Sequence, residues 1–269
     1  MKTNSTSTRI SHGILLGSLL LAGAGSAQAA VIYDNGPFVT HPGQGFGGAD
    51  ASAITAGLTT FGYGMNATVP VRLADNFTVA AGQTWNLTGV RLYGYQTGST
   101  TTPTFTGLNA QIWNGRPGDP GAAVVWGNLA DNILASAAFS GAYRVGEAAP
   151  YTGNTRPIMN LDATVSTSLN AGTYWLEWAT TGSLASGPFN PQISIPGQPT
   201  TGDARQLLGG VWGDLVSGIS PDLYQQGLPF QLQGEITAVP EPGQWAMMGV
   251  TLLGAAGVAL RRFRRQSSQ

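Results

Sequence analysis

Phe230-Gln231-Leu232-Gln233-Gly234-Glu235-Ile236 alternates apolar and polar side chains. Successive residues of a strand point to opposite faces, so Phe230, Leu232, Gly234 and Ile236 fall on one face and Gln231, Gln233 and Glu235 on the other. Working back from it, the same period recurs. Thr173-Tyr-Trp-Leu-Glu-Trp-Ala179 puts Tyr174, Leu176 and Trp178 on one face and Trp175 and Glu177 on the other. Leu108 to Trp113 alternates well, and Ala122 to Trp126, Ile133 to Phe139, Ile158 to Asp162, Ile193 with Ile195, and Arg205 to Trp212 read as further strands. Val71 to Val79 leads through a turn at Ala81-Gly82 into Thr84 to Tyr95, where Trp85 and Leu87 share one parity and Val90 and Leu92 the other. A bulge near Gly89 would restore a single inward face. Val31 to Asp34 opens the series, Asn170-Ala-Gly172 reads as a turn, and Asn114-Gly-Arg-Pro-Gly-Asp-Pro-Gly121 is a loop. No stretch between the two ends holds a 3.6-residue apolar period. The fold expected is all-β, an antiparallel β-sandwich of jelly-roll type built from roughly ten to twelve short strands.

The two ends of the chain differ from this body. Lys2 and Arg9 precede an apolar run, Ile14 to Ala22, and Ala27-Gln28-Ala29 forms a small-x-small cleavage site, so residues 1–29 read as a signal peptide. At the other end Val239-Pro240-Glu241-Pro242 is followed by an apolar run from Trp245 to Leu260 and then by Arg261, Arg262, Arg264 and Arg265. The apolar run is close to the lower limit of ~17 residues for a bilayer-crossing helix, and the arginines would hold its end on the cytoplasmic side. The chain therefore divides into a signal peptide (1–29), a β-sandwich body (30–238), a C-terminal segment of Pro-Glu-Pro, apolar run and arginines (239–265) and a short tail (266–269).

The body is acidic. It carries no Lys, no Cys and one His, His41, with six Arg against twelve Asp and Glu, a formal charge of −6, although the whole chain totals −1. A Lys-free acidic body with no basic stripe argues against nucleic acid as a partner, since phosphate neutralisation dominates that affinity. The lack of Cys leaves stability to packing and hydrogen bonds. Three Asn-x-Thr triplets, at Asn66, Asn76 and Asn86, are what so many threonines produce by chance.

The order of parts at the C-terminus, Val239-Pro240-Glu241-Pro242, a hydrophobic segment holding Gly249, Gly254 and Gly257, then the arginines, resembles the PEP-CTERM sorting signal of Gram-negative bacteria. The resemblance covers about the last 30 residues. It implies recognition by a membrane-embedded cysteine protease, an exosortase, that cuts near the Pro-Glu-Pro after export through the Sec translocon. The protein would pass from an inner-membrane intermediate to the cell surface or extracellular matrix. The plainer alternative is a C-terminal membrane anchor. The body is similar to β-sandwich modules of exported bacterial proteins in Ala74 to Gly94, Ala110 to Asn114 and Leu169 to Leu176, which implies a fold and no activity.

Little in the body points to catalysis. His41 is the sole available base, beside Pro42, and no Gly-x-Ser-x-Gly elbow accompanies it. One His and no Cys give no zinc set. A structural calcium would draw on Asp34, Asp119, Asp131 and Asn132, but no Asp-x-Asp-x-Asp spacing exists, so no cofactor is expected. Trp175 and Glu177 are the one pair worth singling out, because an aromatic ring beside a carboxylate can hold a sugar. The competing expectation is Trp175 packed under a loop and Glu177 in solvent. Trp113, Trp126 and Trp212, beside Gly-rich loops, are further candidates for a platform or for ordinary packing. The leading expectation is a non-enzymatic surface or matrix protein. The alternatives are a module binding exopolysaccharide, and a glycan hydrolase using two carboxylates ~5–10 Å apart.

Overall fold

The computed structural model describes residues 30–239. The signal-peptide residues, Ala27 and Ala29 among them, lie outside the described residues, as do Pro240, Glu241, Pro242, the apolar run and Arg261, Arg262, Arg264 and Arg265. Among the described residues no helix is long and apolar enough to cross a membrane.

The first four strands are β1 (Val31–Asp34), β2 (Asp50–Ala53), β3 (Tyr63–Gly64) and β4 (Arg72–Gly94). Next come β5 (Phe105–Trp113), β6 (Val124–Asn128), β7 (Leu134–Val145), β8 (Pro157–Gly182) and β9 (Phe189–Asn190). The chain ends with β10 (Arg205–Leu208), β11 (Val211–Asp214), β12 (Val216–Ile219), β13 (Asp222–Gln225) and β14 (Phe230–Ala238). One 3-10 turn, Phe46–Gly48, is the only helical element among the described residues. The protein is all-β and mostly antiparallel; the pairing of β2 with β7 is parallel.

The fold is organised by a ribbon of two very long strands. β4 and β8 run antiparallel from Leu73 opposite Trp178 to Gly94 opposite Met159. The Ala81-Gly82 and Asn170-Ala-Gly172 signals, expected to be turns, instead face each other halfway along this ribbon, where the register shifts between Val79 and Thr84. Gly82 has φ +75, a conformation that costs glycine little and that bends the ribbon without ending it. One half of the ribbon is extended by β10 and β11 on the β4 side and by β5 and β6 on the β8 side. The other half is extended by β14 and β1, and by β7 and β2.

The result is a curled sheet whose two halves share one core. Leu73, Phe77, Leu108, Ile112, Leu176 and Trp178 from the first half meet Leu87, Val90, Leu92, Leu161, Phe230 and Leu232 from the second. Trp178 and Phe230 have ring centroids 6.1 Å apart across that interface. The expected bulge is present: the β4–β8 register shifts between Leu87 and Gly89, and Trp85, Leu87, Val90 and Leu92 are all buried.

Two further sequence readings are corrected. Arg205 to Trp212 is not one strand but a hairpin, β10–β11, whose two-residue loop Gly209-Gly210 has both φ positive, as the tight turns favoured by strand twist require. Ile193 and Ile195 form no strand; Ile195 makes an isolated bridge to Gln198. At its C-terminal end the body stays in the sheet through Thr237 and Ala238. They pair with Thr84 and Gln83 in β14, and the Val239 N–H donates to the Gly82 carbonyl at 2.8 Å, so the sheet continues up to the Pro-Glu-Pro.

Candidate functional site

The face of β8 opposite the core carries Trp175 and Glu177. Strand pairing lines them up with neighbours: Gln111, Glu177, Ala74, Arg205 and Asp214 form one row across β5, β8, β4, β10 and β11. Trp113 lies opposite Trp175 in the next row. Three of the body's six arginines, Arg72, Arg116 and Arg205, collect on this face, together with three of its carboxylates.

Glu177 is completely buried, which corrects the expectation that it stands in solvent. Its Oε2 accepts from Gln111 Nε2 at 2.7 Å and from Trp113 Nε1 at 2.6 Å. Oε1 lies 2.5 Å from Arg72 Nε as an ion pair rather than a well-aligned hydrogen bond. Arg72 is the diagonal cross-strand neighbour of Glu177, which places it within reach. A buried carboxylate must be paired, and this one has a cation and two neutral donors.

Trp175 is 4% exposed, under a loop as anticipated. The Asn114–Gly121 segment folds back as a flap: the Arg116 guanidinium lies over the Trp175 ring at 5.8 Å, and Gly118 packs on Trp212. Arg116 also reaches Asp214 at 2.5 Å. Arg205 binds the flap through Asp119 at 3.4 Å and the Pro117 carbonyl, and donates to the Trp212 carbonyl at 3.1 Å. Trp175 thus offers no open ring to a sugar, and the groups around Glu177 are a guanidinium, an amide and an indole, not a second carboxylate. The arrangement is a charge-neutral lock of flap on sheet.

His41 sits in a separate cleft of about 140 Å³ with Glu147 and Pro196 on its walls. Its ring stacks on Tyr151 at 4.1 Å, and Nδ1 is 2.9 Å from Thr40 Oγ1. The Thr40 hydroxyl already donates to the Ala51 carbonyl and accepts from the Ala53 N–H. The Thr40 hydroxyl is thus already engaged with two backbone groups beside the imidazole.

The oxygen-rich residues do not converge. Asp34 accepts from the Gly36 N–H and from Gln231, Asp119 faces Arg205, Asp131 accepts from Asn128, and Asn132 holds the Leu108 and Leu134 N–H groups. Among the described residues no group of three or more His, Cys, Asp or Glu could hold a metal ion. Trp113, Trp126 and Trp212 are half-buried.

Two buried charges escaped sequence reasoning. Asp75, 2% exposed, accepts from the Leu228 N–H (2.7 Å), the Asn76 N–H (2.7 Å) and Asn35 Nδ2 (2.8 Å), with no cation beside it; burial pushes its pKa up to about 7. Arg144, 1% exposed, donates from Nε to the Phe61 carbonyl (2.7 Å) and from Nη1 to Ser52 Oγ (2.9 Å) and Ser194 Oγ (2.8 Å). Burial lowers its pKa to about 10, so it stays charged at neutral pH. Tyr143-Arg144-Val145 held a faint signal, an arginine inside an apolar run.

Comparison with known proteins returns neither a matching family model nor a matching curated relative.

Proposed function

We propose that the chain is an exported surface or extracellular-matrix protein with a structural or adhesive, non-enzymatic role, sorted through its PEP-CTERM-like tail. The observation that carries this reading is the placement of charge and hydrophobicity. A signal-like start and a Pro-Glu-Pro, apolar, arginine-rich end enclose an acidic body without Lys. The Sec translocon and an exosortase-type protease are the partners this reading requires, and the final location is the cell surface or the surrounding matrix.

The non-enzymatic part draws support from how the body uses its charges. Arg72–Glu177, Arg91–Asp162, Arg116–Asp214 and Arg205–Asp119 are internal pairs that join strands or fasten the flap. We read the curled sheet, whose halves share a core, as a β-sandwich of jelly-roll type. Such a module suits a body that must persist outside the cell without disulfides.

The test is to replace Pro240, Glu241 and Pro242 by alanine and follow the size and location of the body. The reading expects an untrimmed, membrane-held chain. Trimming and surface display identical to wild type would make the Pro-Glu-Pro incidental.

A further inference from the structure

Away from the Glu177 face, the loop between β4 and β5, the loop between β7 and β8 and the 3-10 turn enclose a groove of about 290 Å³. This is at the lower edge of the ~300–1,000 Å³ typical of small-ligand sites. Its walls carry Phe46, Tyr143, Ser99, Thr100, Thr101 and Asn154, and no Asp, Glu, Lys or Arg. We infer that this groove binds a short stretch of an uncharged saccharide chain.

The chemistry of the walls selects that ligand. Thr100, Thr101 and Asn154 are exposed, and their hydroxyl and carboxamide groups both donate and accept, matching the paired donor–acceptor character of sugar hydroxyls. Phe46 is 45% exposed and is held edge-on against the buried Tyr143 at 5.9 Å. It supplies the apolar surface on which the C–H face of a pyranose can rest. An apolar ligand would strip water from the hydroxyls and amide without replacing its hydrogen bonds. A polyanion would meet no cation in the groove and a body of formal charge −6 around it.

The groove is also built in advance. The Gly98 N–H donates to the Thr155 carbonyl at 2.7 Å, stapling the two loops together. Ser99 Oγ donates to the Gln96 carbonyl at 2.7 Å, and the buried Gln96 side chain donates from Nε2 to the Leu184 carbonyl at 2.9 Å. Little ordering is left for the ligand to impose. The inference is independent of the sorting reading, because the groove would be the same on a chain that was never exported.

The test is affinity electrophoresis of the full chain, in mild detergent, through gels holding dextran, galactomannan, hydroxyethyl cellulose or the anionic alginate. Retardation by at least one neutral polymer is expected, with apparent affinity at least tenfold weaker in Phe46→Ala and in Asn154→Ala. Thr101→Lys, which fills the groove from an exposed position, should weaken binding equally, and circular dichroism should be unchanged in all three. No retardation by any neutral polymer, retardation by alginate alone, or variants that bind as wild type would overturn the proposal.

Discussion

Arg72 Nε lies 2.5 Å from Glu177 Oε1, with the glutamate side chain fully enclosed and the arginine 29% exposed. The pair joins β4 to β8 on the face against which the flap packs. Removing the cation alone leaves a carboxylate in the interior with only Gln111 and Trp113 to satisfy it, a situation that costs ~3–5 kcal/mol. Arg72→Ala is therefore expected to lower stability by about that amount in denaturant titration. Arg72→Met with Glu177→Gln should lose less, since no charge is then left unpaired and the amide oxygen still accepts from Gln111 and Trp113. Equal losses in the single and double variants would show that packing, not charge pairing, dominates there.

Asp75 predicts a pH dependence. Its folded pKa of about 7 lies above the ordinary carboxylate value, so the folded state binds the proton more tightly than the unfolded chain does. The associated stability is present at low pH and is lost as pH rises through 7. Between pH 5 and pH 8 the loss from this one group is about 2–3 kcal/mol. The measurement is the urea midpoint across that range in wild type and Asp75→Asn. The variant should show a flatter slope, and an unchanged slope would assign the effect elsewhere.

Arg144 should tolerate no conservative exchange. Its guanidinium serves the Phe61 carbonyl and the Ser52 and Ser194 hydroxyls from two different nitrogens. The compact ammonium of lysine cannot span that set. Arg144→Lys is expected to cost roughly 2–3 kcal/mol by leaving buried acceptors unpaired. The check is thermal unfolding at neutral pH. A change below about 0.5 kcal/mol would mean that these contacts contribute little.

At the N-terminus, the small residues at 27 and 29 are the expected recognition elements for signal removal. Replacing Ala29 by Trp should accumulate a precursor larger by the signal peptide, visible on a gel of whole cells. Normal processing would place the cleavage elsewhere.

Much of this architecture could be read from alternation alone. Phe230, Leu232 and the Tyr174-to-Trp178 alternation contribute to the core as their parity requires, and the parity break at Gly89 is a real bulge, whereas Ile236, past the edge of the core, is 46% exposed. The long ribbon could not be read, because Gly82 and Gly172 carry the same local signal whether the chain reverses or merely bends. Glu177 shows a second limit. Alternation tells which side of the sheet a residue occupies, but not whether a loop elsewhere in the sequence covers that side. The flap Asn114–Gly121 looked like an ordinary turn-rich connection, and only the tertiary contacts of Arg116 and Arg205 make it a cover. Arg144 and Asp75 were hidden for the same reason. Their burial follows from what packs against them, and their own neighbours in sequence say little about that.

The proposed function requires that the acidic body be exported and cut from the segments at both of its ends. The intact mass of the protein recovered from the cell surface or culture medium tests it most directly. The expected species is a chain starting at Ala30 or Val31 and ending near Pro240–Pro242, without the apolar run and the four arginines. A full-length chain retained in the cytoplasm, or a surface form still carrying Arg261 to Arg265, would contradict it.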